Sequence, residues 1–205
     1  YLHKPLLLLN FLIRTKTIFI MKKISLITLI LTLAVIVGCK EDKKKMDTEK
    51  TVAETSKKVK LKLEPKSGSN VSGSAVFTET NGVVEFTALL SGLEPGTHAI
   101  HIHEKADCSS DDGKSTGGHW NPTGAPHGKW GSPDGFHKGD IGNLTADENG
   151  NATVTVKTDL WCIGCQDDTK NIVDKTIIVH AGTDDFTTQP TGAAGGRVSC
   201  GGIIR

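Results

Sequence analysis

From Val59 onward this 205-residue chain has no long stretch of apolar residues at the 3.6-residue period, which argues against a helical fold. No basic patch is present, and the formal net charge is only +1, so nucleic-acid binding is disfavoured. The apolar run at residues 24–37 is short for an ordinary transmembrane anchor. What the chain has instead is a pattern of histidines. Six of its eight (His101, His103, His119, His127, His137 and His180) fall in one ordered series with Asp140.

Seven nitrogen- and oxygen-donor side chains are more than one metal ion needs and about right for two. His101 and His103 lie in the extended-looking run 97–103, where residues two apart point to one face. His119, His127, His137 and Asp140 lie on a Gly- and Pro-rich stretch that cannot form a long helix or strand. A loop that gathers three imidazoles and a carboxylate reads as one folded around an ion. Imidazole suits zinc and copper, and a tetrahedral set of three histidines and a carboxylate suits a closed zinc site. His3 and His98 are each read as a surface or satisfied core histidine, and on a strand His98 would point away from His101 and His103.

The rest of the pattern is all-β. Residues 59–63 and 152–157 alternate strictly, and 73–78, 83–90, 97–103, 175–179 and 197–204 are further strand-like runs. Asn81-Gly82, Pro95-Gly96 and Glu148-Asn149-Gly150 supply turns. Short, regularly spaced strands of this kind mean a sandwich or barrel. Two long irregular stretches, 104–138 and 181–196, interrupt the rhythm, and long loops in a compact domain are usually functional.

Five ordered segments carry a family resemblance: His98-Ala99-Ile100-His101-Ile102-His103-Glu104, Gly118-His119-Trp120-Asn121-Pro122, His137-Lys138-Gly139-Asp140-Ile141-Gly142-Asn143-Leu144, Val179-His180-Ala181-Gly182-Thr183-Asp184-Asp185 and Gly195-Gly196-Arg197-Val198-Ser199-Cys200-Gly201. Together they resemble copper–zinc superoxide dismutase from about Val59 to the C-terminus. The resemblance implies an eight-stranded Greek-key barrel or sandwich, immunoglobulin-like, with two long functional loops. It implies copper on His101, His103, His119 and His180, and zinc on His119, His127, His137 and Asp140, so that His119 bridges. It also implies a copper redox cycle that oxidises one superoxide to dioxygen and reduces the next to hydrogen peroxide. Zinc would fix the loop and tune the bridge.

By the same resemblance Asp184 accepts hydrogen bonds from one ligand of each metal, His101 and His127, while Asp185 beside it is a solvated acid. Arg197 is the arginine beside the copper that draws in the anion, and His119 carries a proton. Cys108 and Cys200 form the intrasubunit disulfide. One departure stands out. No lysine or glutamate lies between Asp184 and Arg197, where many relatives have a longer charged loop, so anion steering falls mostly to Arg197 and the metals, with Lys129 or Lys138 as helpers.

The front of the chain reads as a processing segment. Residues 1–20 precede Met21 and are taken as upstream read-through; residues 21–38 form a lipoprotein signal peptide, with a basic start and a lipobox-like end at Cys39. Cleavage there removes Lys4, Arg14, Lys16, Lys22 and Lys23 and no acid, leaving 19 basic and 23 acidic residues, a net charge of −4. Lipid on Cys39 would anchor the protein to a membrane without a spanning helix. Residues 39–57 read as a flexible tether and residues 58–205 as the domain. Glu41-Asp42 is read either as a sorting mark for outer-surface display or as plain spacer. The expected location is the bacterial cell envelope, on its periplasmic side or outer surface, where disulfides persist and superoxide from outside the cytoplasm is met. A homodimer is left open.

Cys162 and Cys165 fall outside the resemblance. A local disulfide is the first reading and an accessory metal or redox site the second. A thiol oxidoreductase built on this pair, or a copper- or zinc-handling protein using the same scaffold, are the rival functions.

Overall fold

The computed structural model describes residues 56–205. Cys39, the signal segment 21–38 and nearly all of the 39–57 tether lie outside the described residues. Eight strands follow one another: β1 Ser56–Pro65, β2 Ser72–Thr80, β3 Val83–Ser91, β4 Gly96–His103, β5 Gly142–Ala146, β6 Ala152–Thr158, β7 Thr176–His180 and β8 Arg197–Gly202. A short 3-10 turn at Lys114–Thr116 is the one helical element among the described residues.

All pairings are antiparallel, in the order β5-β4-β7-β8-β1-β2-β3-β6. The connections β3 to β4 and β6 to β7 join strands that are not neighbours, as in a Greek key. The edge strands β5 and β6 approach without a ladder, so the barrel is nearly closed. The eight-stranded expectation is met.

Period-two alternation builds the core. Val59, Leu61 and Leu63 of β1 and Val84, Phe86, Ala88 and Leu90 of β3 point inward while the lysines between those of β1 face solvent. Phe77 and Phe86 stack at 4.7 Å between ring centroids, with Trp161 edge-on to both. β4 departs from the alternation because both of its faces are covered. Ile100 and Ile102 enter the barrel core, whereas His101 and His103 lie buried on the opposite face. His98 shares the inward parity and is buried, its ring nitrogens lying 3.0 Å from the His180 carbonyl oxygen and 2.8 Å from that of Glu94.

The strand boundaries shift from the sequence reading, most at β1, which spans Ser56–Pro65 against the 59–63 read from alternation. β5 has no counterpart there; it is five residues long and turns only Leu144 and Ala146 fully inward beside Gly142, too short an alternation to register. β7 begins at Thr176 and extends to His180. β8 stops at Gly202, because Ile203 leaves the ladder: its N–H donates to the Lys175 carbonyl and its own carbonyl accepts from Asp174.

Candidate metal centre

Backbone pairing brings the histidines together. The Ile102 N–H donates to the Gly139 carbonyl (2.9 Å), and the Ile102 carbonyl accepts from Trp120 N–H (2.8 Å). The Gly139 N–H in turn reaches the Trp120 carbonyl at 3.0 Å. This small ladder sets His119 beside His103 and carries His137 and Asp140 to the same place. It requires glycine at 139, since a Cβ there would sit 2.2 Å from the Ile102 carbonyl oxygen. On the other side, β7 delivers His180, paired with Arg197 of β8 across a register irregularity at Val179/His180.

Two groups result: His101, His103, His119 and His180, and His119, His127, His137 and Asp140, each with its donor atoms within 4.8 Å of one another. All seven residues are buried, and His119 belongs to both groups.

Metal ions fit this arrangement on an observation independent of family. Four ring nitrogens are buried with no partner, His101 Nδ1, His103 Nε2, His119 Nε2 and His180 Nε2, and two more, His127 Nδ1 and His137 Nδ1, face the Asp140 carboxylate without a directed hydrogen bond. Unpaired buried polar atoms are costly, and six ring nitrogens so placed, converging in two places, call for cations. Asp140 lies 2.9 Å from His119 Nδ1, 3.0 Å from His127 Nδ1 and 3.2 Å from His137 Nδ1, a carboxylate ringed by three imidazole nitrogens. His119 therefore offers Nε2 to one group and Nδ1 to the other.

The opposite nitrogens are tied down. His101 Nε2 donates to Asp184 Oδ2 and His127 Nε2 to Asp184 Oδ1, both at 2.9 Å. His103 Nδ1 donates to the Gly117 carbonyl at 3.0 Å and His180 Nδ1 to that of Gly195 at 3.3 Å. Such partners fix tautomer and ring orientation. Asp184 is itself held by Asn143, whose carboxamide donates to the Asp184 carbonyl and accepts from its N–H, both at 2.9 Å. Asp185 is exposed and caps its own turn through the N–H groups of Thr187 and Thr188.

Electrostatics follow from burial and pairing. Burial first, and neighbouring charges second, push His180 down to about 3 and His103 well below the usual histidine range. Burial also brings His119 down to about 4, against the pull of Asp140. His127 goes the other way: burial disfavours its charge, but the Asp140 and Asp184 carboxylates prevail and raise it to about 9. Burial likewise opposes ionisation of Asp140 and Asp184, yet their histidine partners hold both carboxyls far below the usual range.

Arg197 is half-buried, and burial lowers its pKa below the ordinary arginine range. Its Nη1 donates to the Gly113 carbonyl (2.8 Å) and Thr116 Oγ1 (2.9 Å), and its Nη2 to the Gly117 carbonyl (2.8 Å). These acceptors lie in the loop that the Cys108–Cys200 disulfide fastens to β8.

Cys162 and Cys165 also form a disulfide. They sit in the loop between β6 and β7, not at the start of a helix, so the first reading of this pair stands. The adjacent Trp161 donates its indole N–H to the Lys138 carbonyl (2.8 Å), tying the His137–Asp140 turn to the barrel core. Sequence reasoning missed this tether, the Asn143 clamp on Asp184 and the contacts of Gln189 with His127. Asn143 stood inside a recognised segment; the other two left no signal of spacing or residue type.

A two-cation, imidazole-rich centre on the outside of a Greek-key barrel defines a class of metalloprotein, and the comparisons with known proteins place the chain within it. Residues 71–203 match the family model described as copper/zinc superoxide dismutase (SODC). The chain is 37% identical over 140 residues to "Superoxide dismutase [Cu-Zn] 2" of Aquifex aeolicus, spanning 66% of this chain and 80% of that protein. It is 38% identical over 135 residues to "Superoxide dismutase [Cu-Zn]" of Caulobacter vibrioides, spanning 64% of this chain and 77% of that one. A crystal structure of a double mutant of a SOD-like protein from Bacillus subtilis superposes with a TM-score of 0.64 at 30% identity, covering 71% of this chain and 97% of that one. This chain belongs to the copper/zinc superoxide dismutase family.

Proposed function

We propose that the protein dismutates superoxide at a copper held by His101, His103, His119 and His180, with zinc held by His119, His127, His137 and Asp140. The observation that carries this assignment is His119, whose two ring nitrogens face the two separate donor groups. Copper, when bound, supplies the one-electron chemistry that takes one superoxide to dioxygen and the next to hydrogen peroxide.

The chain's own residues do the rest. Arg197 lies across the ladder from His180 and presents a fixed cation where a small anion would approach. A cation in a low-dielectric recess raises anion capture, an effect known for this enzyme class. Reduction to peroxide consumes protons, and His119 Nε2 is the atom suited to carry one, because Nδ1 stays engaged on the Asp140 side. His101 and His127 are kept from rotating by Asp184, so the site is preorganised.

The lipobox-like segment ending at Cys39 supports attachment of this activity to a bacterial membrane, exposed to superoxide outside the cytoplasm. Metabolic labelling with a radiolabelled fatty acid tests this attachment: label should enter the protein and be lost in Cys39→Ser.

The test of the catalytic assignment is superoxide dismutation by purified protein loaded with copper and zinc, beside His180→Ala and His119→Ala. Turnover should depend on copper and vanish in His180→Ala. His119→Ala should lower occupancy of both metals; full occupancy of both would refute the bridge. Stoichiometric metal without turnover would make the protein a copper-handling one.

A further inference from the structure

The carboxamide of Gln189 meets the main chain of His127 across 62 residues of sequence. Its Oε1 accepts from the His127 N–H at 2.8 Å, and its Nε2 donates to the His127 carbonyl at 2.8 Å. The second amide proton points to the Thr187 carbonyl at 3.3 Å, which orients the group. His127 lies outside every strand, so one side chain from the second loop stands in for the ladder its backbone lacks. A primary carboxamide offers a donor and an acceptor in the plane of a peptide group, which an ionised carboxylate does not.

The same loop also holds the ring. Asp184 Oδ1 takes the Nε2 proton, leaving Nδ1 turned to Asp140. Gly192 passes close over that bond; a Cβ there would lie 2.6 Å from His127 Nε2. His127 is thus held at three points by the loop on the far side of the site, two of them from Gln189.

We propose that Gln189 is a positioning residue for the zinc site: by clasping both backbone groups of His127 it fixes where Nδ1 points, and so sets the geometry and tightness of metal binding there. The proposal rests on the reading of His127 as a zinc ligand. The copper group needs no part of this clasp, since His101, His103 and His180 are oriented through Asp184, Gly117 and Gly195.

The experiment compares Gln189→Leu, Gln189→Glu and His127→Ala with wild type in the full protein. Zinc affinity is measured by competition with a chelator, and coordination geometry by the visible absorption of Co(II) at the zinc site. Both Gln189 variants should bind zinc roughly 10- to 100-fold more weakly, the usual effect of removing a ligand's supporting partner. They should also shift the Co(II) bands, with copper affinity unchanged when it is measured in the absence of zinc. The Gln189→Glu variant keeps an acceptor for the His127 N–H but sets an oxygen against its carbonyl, so it alone decides the matter if the leucine variant does not fold. Wild-type zinc affinity in the Gln189 variants would overturn the proposal, as would weaker zinc with an unaltered Co(II) spectrum. Should His127→Ala bind Co(II) as wild type does, the zinc assignment itself would fail instead.

Discussion

His103 and Arg197 donate to the same carbonyl oxygen, that of Gly117. One backbone atom of the disulfide-fastened loop thereby orients both a metal-facing imidazole and the Arg197 guanidinium. The loop is held in turn by Cys108–Cys200, so covalent bond, cation and imidazole form one mechanical unit.

Replacing Arg197 with Ala should separate capture from metal binding. We expect kcat/KM to fall by roughly tenfold or more, the low end of what electrostatic guidance gives, and to lose much of its salt dependence. Copper content, checked by elemental analysis, should stay near wild type because His103 keeps the Gly117 carbonyl. An unchanged rate would remove the steering role.

Breaking the long disulfide should cost stability first. Cys108 and Cys200 are 92 residues apart, for which the chain-entropy model gives about 4.6 kcal/mol. Cys108→Ser with Cys200→Ser should show a loss of this order in denaturant unfolding. Activity should drop as well, since the loop presents the acceptors that hold Arg197.

Gly192→Ala tests the crowding above Asp184. The added methyl would lie 1.9 Å from Asp184 Oδ1, at a backbone φ of +65°. The left-handed conformation alone costs a non-glycine residue about 1 kcal/mol or more. We expect weakened binding of both metals and a lowered Tm, read by competition assay and calorimetry.

The metal-free protein should be acid-sensitive. His119 titrates near 4 and His180 near 3 in the fold against an ordinary 6.5, so between these values the unfolded chain holds more protons. Their contribution is present above 6.5 and is lost as the pH falls toward 3–4, at about 1.4 kcal/mol for each tenfold difference in proton affinity between folded and unfolded chain. The depressed carboxyls Asp140 and Asp184 lose their share lower still, through the usual carboxylate range and below. His127, raised to about 9, stabilises below 6.5 and loses that support as the pH rises through 9. Urea unfolding in the presence of a chelator should therefore be most resistant in between, with the larger loss on the acid side.

The sequence made the donors legible because chemistry is written in residue type. Six of the eight histidines fall in order with Asp140, which leaves few alternatives. Two of the eight strands, β1 and β6, were readable from strict alternation and five more as strand-like runs, while β5 was too short to show either. What stayed hidden was addressed to backbone atoms. Gln189 to His127 and Trp161 to the Lys138 carbonyl depend on where the chain turns, and no spacing rule connects residues 62 or 23 positions apart. The single carboxylate shared by His101 and His127 was visible only through the family likeness, since Asp184 by itself is one loop acid beside another.

That shared carboxylate has a consequence for how the protein fills. A cation seated against His127 would stiffen Asp184, and through Asp184 it would steady His101 before the second cation arrives. Loading should then approach all-or-none: titrated with less than a full complement of both metals, a population would divide into empty and doubly charged molecules, with few carrying one ion alone.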